Sequence, residues 1–102
     1  MPADSGWIIR PAAEVDLADI WLQGTTTWGL EQADRYADGL FAVFDLLAEF
    51  PELARERVEF TPSVRIHPSG SHLVVYRWDG QGVEIIRILH AHQNLMAYLS
   101  DN

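Results

Sequence analysis

The chain has 102 residues, 48% of them apolar and 11% aromatic, with 15 acids against seven cations and a formal charge of −8. That length builds one domain, residues 1–102, around a single core. With no cysteine there is neither a disulfide framework nor thiolate chemistry. No apolar run approaches the roughly 20 residues of a membrane span. The N-terminus lacks a basic patch followed by an apolar stretch, so the expected location is cytoplasmic, without membrane contact. All seven cations are arginine, and charge is unevenly placed: residues 1–60 hold 12 acids and 4 arginines, residues 61–102 hold 3 acids, 3 arginines and all four histidines. An acidic surface argues against a tight grip on phosphates, and no direct nucleic-acid binding is expected.

Trp7-Ile8-Ile9-Arg10 reads as a first strand closed by Pro11, which suits the first turn of a helix because its missing N–H would be unpaired there anyway. From Ala13 the apolar positions Leu17, Ile20, Trp21 and Gly24 share one helical face, and Trp28-Gly29 marks a break. A second helix spans Leu30 to Phe50. Ala33, Tyr36, Ala37, Leu40, Phe41, Phe44, Leu47 and Ala48 form its apolar stripe, with carboxylates opposite. Pro51 ends it, and the short connection makes the pair an antiparallel hairpin. Glu52 to Glu59 predicts one loose helical turn, Val64 to His67 a strand, and Pro68-Ser69-Gly70 a turn.

His72 to His90 then predicts a β-hairpin around Asp79-Gly80-Gln81-Gly82. Its strands are apolar on both faces, which places them in the middle of a sheet. A four-residue loop sets Arg77 opposite Glu84, Val75 opposite Ile86 and Leu73 opposite Ile88. Asn94 is placed to cap a last short helix carrying Leu95, Met96, Tyr98 and Leu99. The expected fold is α+β, in the order β-α-α-β-β-β with a short C-terminal helix, an antiparallel sheet packed on a helical hairpin.

Three sets of residues together carry a resemblance. Ala13-x-x-Asp16-Leu17-x-x-Ile20-Trp21 precedes Trp28-Gly29-x-x-Gln32-Ala33-x-x-Tyr36 and Leu40. Arg65 and Gly70-x-His72-Leu73-Val74-x-Tyr76-Arg77 follow, and Ile85-Ile86-Arg87-Ile88-Leu89-His90 closes the series. In order and spacing this resembles the ParE toxins of the RelE/ParE superfamily, over about Trp7 to Leu99. The resemblance implies a type II toxin–antitoxin module, found on bacterial chromosomes and plasmids. It implies a toxin that poisons DNA gyrase without cleaving nucleic acid, and a cognate ParD-like antitoxin with a ribbon-helix-helix half. No cofactor and no metal are implied. One departure lies after the last strand, where relatives often carry His-x-Arg-Met/Gln-Asp and this chain reads His90-Ala91-His92-Gln93-Asn94. Its acidity is another.

Arg65, Tyr76, Trp78, Arg87, His90 and His92 are the candidates for contact with the target, Trp78 being the aromatic expected to be most exposed. Asp34, Asp38, Asp45 and Glu49, on the polar side of the second helix, are the candidates for contact with the antitoxin. Trp21, Trp28, Tyr36 and Phe44 fall at core spacing. His72 and His90 read as strand-end residues bonded within the fold, and four histidines without a nearby carboxylate at ligand spacing do not make a zinc site. A RelE-like ribosome-dependent mRNA endonuclease is the rival activity, for which Arg65, Tyr76, Arg87 and His90 would supply base, acid and cations. A fold-retaining antitoxin partner without toxicity is a third reading. On the first reading Arg65 and Arg87 are structural, paired with carboxylates or carbonyls at the sheet.

Overall fold

The computed structural model describes residues 6–99. Strand β1 (Trp7–Ile9) passes through Arg10 into α1 (Pro11–Trp28), with Pro11 at the helix start. Gly29, at a φ of 100°, ends α1 and begins α2 (Leu30–Glu49). Only a residue without Cβ takes that backbone freely, so the predicted break falls where the glycine stands. The helices meet closely at Gly24, where an added Cβ would lie 3.2 Å from the Cβ of Ala33. Thr25 and Thr26 stay helical by returning their hydroxyls to the Leu22 carbonyl.

The sheet adds β2 (Glu56–Arg57), β3 (Val64–Ser69), β4 (His72–Trp78) and β5 (Val83–His90), and α3 (Leu95–Leu99) follows. Spatial order is β1-β5-β4-β3-β2, so the two apolar strands of the predicted hairpin are indeed interior. The four-residue loop is as expected, with Asp79 Oδ1 accepting from the amides of Gln81 and Gly82. Those two amides hold the Asp79 carboxyl below its ordinary range.

Four expectations need correction. The sheet is mixed rather than antiparallel, because β1 pairs parallel to β5. The helical hairpin returns the chain to the end of the sheet where β1 stopped, so β2 runs against β1 and three reversals later β5 runs with it. Residues 52–59 contain the short strand β2 instead of only a loose turn, its backbone pairing with Val64 and Arg65. Strand β3 continues through Pro68, which is tolerated because β2 pairs only with the start of β3 and leaves that edge open. Finally, Arg77 does face Glu84, but Val75 faces Arg87 and Leu73 faces Leu89. A bulge leaves Ile86 as an extra residue, shifting the ladder by one beyond Tyr76.

The bulge decides which side chains meet. It brings Ile85 and Ile88, three apart in sequence, into the same cluster as Val74 and Tyr76, beneath Leu40, Phe44 and Leu47 of α2. The opposite face is covered by a second cluster of Phe60, Val64, Val75 and Leu89, with Leu95 and Leu99 of α3 against it. Asn94 caps α3 through Oδ1, which accepts from the Met96 amide at 3.1 Å.

Candidate functional site

Where β1 stops, α1 takes over the edge of β5. Arg10 donates its amide to the Ile85 carbonyl, and the next outward amide, that of Ile88, donates to Asp16 Oδ2 at 2.9 Å. The same carboxylate receives Arg87 in two bonds, Nε to Oδ2 at 2.8 Å and Nη2 to Oδ1 at 2.9 Å. Asp16 raises the pKa of the guanidinium further, so Arg87 is a fixed cation. Its other face lies 5.4 Å from the Tyr98 ring, which ties α3 to the sheet. Arg65 is likewise engaged, donating to the Ala54 carbonyl at 2.7 Å. Both arginines have the carboxylate or carbonyl partners expected of them.

Tyr76 is fully buried, donating its hydroxyl to the Pro51 carbonyl at 2.8 Å and accepting from the Ala54 amide at 3.3 Å. Burial pushes its pKa up and keeps the phenol neutral. It fastens the segment after α2 and offers no accessible surface. Trp78 is only half-buried, packed against the helix-side cluster with the Arg65 guanidinium 6.0 Å from its ring. The tryptophan most open to solvent is instead Trp28, 60% exposed at the tip of the helical hairpin. Its spacing could not reveal this, because Trp28 is the last residue of α1, where the chain turns at Gly29. Trp21 and Tyr36 are half-buried and Phe44 wholly so, as their spacing implies.

At the far end of the hairpin a row of rings crosses from helix to tail. Tyr36 bonds His72 Nδ1 at 2.6 Å, and its hydroxyl also receives the Ser71 amide. The His72 and His90 rings lie 5.3 Å apart, His90 and His92 5.1 Å. His90 and His92 are exposed, and the His90 Nδ1 accepts from the His92 amide. Burial first, then the neighbouring His90, pushes the His72 pKa below its ordinary value of 6.5, although Asp16 pulls the other way. The native state therefore favours neutral His72. Its contribution to stability is complete above the unfolded pKa and is lost as pH falls through the lower folded one. Denaturant midpoints at about pH 7.5 and about pH 5.5 should differ less in His72→Gln than in the parent. An equal drop in both would remove His72 as a source of acid sensitivity.

Two surface grooves adjoin this framework. An open groove of about 690 Å³ lies on the outside of the helical hairpin, floored by Leu17, Ala18, Trp21, Ala37 and Phe41 with Ile9 at one end. Glu14, Asp34 and Asp38 line it. Of the predicted antitoxin-contact carboxylates this gathers Asp34 and Asp38. Asp45 and Glu49 are exposed further along α2. Asp34 and Asp45 also accept from Trp21 Nε1 and Trp7 Nε1, at 2.7 and 2.8 Å. The second groove, about 450 Å³, lies on the opposite side of the sheet and is lined by Arg10, Arg77 and Arg87. Sequence reading missed Arg10 and Arg77 here, and Asp16 as the anchor of Arg87. The signals were the place of Asp16 and Arg77 within the motifs quoted above and the expected pairing of Arg77 with Glu84.

This layout, a sheet wrapped on one face by a helical hairpin, defines a class of small α+β proteins. A solved structure described as a chromosomal ParDE TA system from P. aeruginosa has it, with a TM-score of 0.72 at 20% identity, covering 83% of this chain and 94% of that one. The family model for the ParE toxin of type II toxin–antitoxin system, parDE, matches residues 7–95. Toxin ParE1 of Caulobacter vibrioides is 42% identical over 87 residues, 85% of this chain and 90% of that protein. Toxin ParE1 of Mycobacterium tuberculosis is 33% identical over 92 residues, 89% and 94% of the two chains. The chain belongs to the ParE toxin family, the toxin half of a type II toxin–antitoxin module.

Proposed function

We propose that this ParE toxin blocks replication by binding DNA gyrase and stabilising its complex with cleaved DNA, and that a ParD-like antitoxin keeps it inactive in the cytoplasm. Family membership supports the reading. The observation that carries its non-enzymatic part is the dispersal of the four residues a ribonuclease would need. Tyr76 is buried with its hydroxyl bonded, and Arg65 shares its face of the sheet while donating to a backbone carbonyl. Arg87 faces the other way and is held by Asp16, and His90 is exposed at the strand end. Acid–base cleavage of RNA needs such groups converging on one phosphate, with a base free to move a proton. Among the described residues no helix is long and apolar enough to cross a membrane.

Purified toxin should trap cleaved plasmid DNA when gyrase is present and leave DNA and RNA intact when it is absent. RNA cut by the toxin, alone or on ribosomes, would move the assignment to the endonuclease alternative. A toxin that neither traps gyrase nor arrests growth when expressed without its antitoxin would instead be a partner protein that has lost toxicity.

A further inference from the structure

Three of the four histidines stand in one row where the chain leaves the sheet for α3. The row begins at a hydroxyl with a choice of acceptor. Tyr36 accepts the Ser71 amide at 3.0 Å, and its own proton can go to His72 Nδ1 at 2.6 Å or to the Ser69 carbonyl at 3.2 Å. Gly70 makes room for that hydroxyl, since a Cβ there would lie 2.6 Å from it. His72 can therefore take up a proton without orphaning any group, because its Nδ1 becomes the donor and the hydroxyl turns to Ser69. His90 has no such freedom. Its Nδ1 must be bare to accept the His92 amide at 3.2 Å, and a proton there would set two donors against each other. The other bonds of this turn also centre on His90, whose amide donates to Gln93 Oε1 and whose carbonyl accepts from the Gln93 amide.

Positive charge in this row meets no counter-ion. On β4, His72 faces Tyr36 of α2 and His90 of β5, and it feels the charge of Asp16 on α1, a carboxylate already holding Arg87. His90 faces His72 and His92. Among the described residues none of the three rings pairs with a carboxylate. Protonated rings with centroids 5.1 and 5.3 Å apart repel one another. The element that this turn holds is slight. Helix α3 has five residues, far fewer than a helix needs to stand alone. It stays in place through Leu95 and Leu99 on the second cluster and Tyr98 over Arg87. Tyr98 and Leu99 also help to wall the groove of Arg10, Arg77 and Arg87.

We propose that the Tyr36–His72–His90–His92 row is a proton-operated latch on α3. Neutral, it holds the helix on the sheet; protonated, it lets the helix leave, uncovering Arg87 and opening the arginine groove. The latch does not depend on what the toxin binds. Its sign follows from the bonds, since the docked form needs a bare Nδ1 on His90 and the released form does not. Docking is therefore complete above the imidazole range and is lost as pH falls through it. A histidine that takes its proton only after release raises the released-to-docked ratio about tenfold at one pH unit below the unrestrained value of about 6.5.

Amide exchange followed by NMR reads that ratio in the purified toxin. The Met96 and Ala97 amides, bonded to Asn94, report α3, and the amides of the β4–β5 ladder report the rest of the fold. Divided by the intrinsic rate at each pH, exchange at Met96 and Ala97 should speed up about tenfold or more from about pH 7.5 to about pH 5.5, while the ladder changes far less. His90→Asn sets a carbonyl oxygen where Nδ1 stood, keeps the bond to the His92 amide and cannot be charged. Its rise should be less than about twofold. If α3 of that variant is already released at the higher pH, His72→Asn decides. It keeps an acceptor for Tyr36 and removes one charge from the row, so its rise should be smaller than the parent's. Exchange in α3 that does not respond to acid in the parent overturns the latch. So does an equal rise in the parent and both asparagine variants, or a rise shared by the β4–β5 ladder.

Discussion

Phe44→Ala is expected to destabilise the protein by about 3–5 kcal/mol, a large part of what a domain this size possesses. Phe44 has no exposed surface and sits between α2 and the sheet. The edge of one ring packs on Trp7 of β1 at 5.1 Å and on Phe41 one turn back at 5.7 Å, with the β4–β5 face below. Removing the ring leaves a void that neither the sheet nor Leu40 and Leu47 can fill without moving. Asp38→Ala, six residues earlier on the exposed side of the same helix, should stay within about 0.5 kcal/mol. Chemical denaturation measures both. Similar losses for the two variants would mean that α2 packs through a different face.

The contrast between those residues was readable from sequence because a long helix repeats its message. In α2 the 3.6-residue period is sampled over 20 residues, and one ambiguous side chain cannot rotate the whole stripe. Phe41 shows the tolerance of such a reading, since it is 39% exposed and still stacks on Trp7 at 6.2 Å. The hairpin was legible for a different reason, as two unbroken apolar runs around an Asp-Gly turn have few other uses. Its register beyond Tyr76 was not. Ile85 and Ile86 are adjacent and equally apolar, so either can point inward, and the packing of Ile88 under α2 decides which is bulged out. Strand β2 could not be seen at all. Glu56 and Arg57 carry no apolar signal, and their pairing is set by the distant Arg65 and Val64. The parallel pairing of β1 depends in turn on how the helical hairpin reverses the chain, a property of no single stretch.

The candidate site divides along the same line. Arg65 and Arg87 were expected to have partners at the sheet because a partly covered guanidinium needs acceptors. Which acceptors could not be known, since Asp16 lies 71 residues from Arg87 in sequence. The predicted carboxylates of α2 are on the surface, but the groove that collects Asp34 and Asp38 also takes Glu14 from the other helix. Arg10 and Arg77 meet only through Glu84, so the arginine groove comes from the fold and not from any motif.

Asp16→Ala carries the second large expectation, a loss of about 2–3 kcal/mol. The carboxylate is 13% exposed and closes two demands at once, the bidentate guanidinium of Arg87 and the edge amide of Ile88. Alanine leaves a cation and an N–H without acceptors at a poorly hydrated place, and the cost of such orphans exceeds the net worth of the bonds themselves. Asp16→Asn keeps one oxygen for the Ile88 amide while giving up the charge, so it should fall between alanine and the parent. Glu31→Ala provides the scale. Glu31 faces Arg35 one turn away at 3.7 Å with both side chains largely in solvent, and its loss should cost within about 0.5 kcal/mol. Arg87→Ala in the Asp16→Ala background should add less than it does alone, because the orphaned charge leaves with it. Urea denaturation of the parent, the two single variants and the double variant gives that coupling directly. Strict additivity, or an Asp16→Ala no costlier than Glu31→Ala, would show that Asp16 does not hold Arg87 in solution.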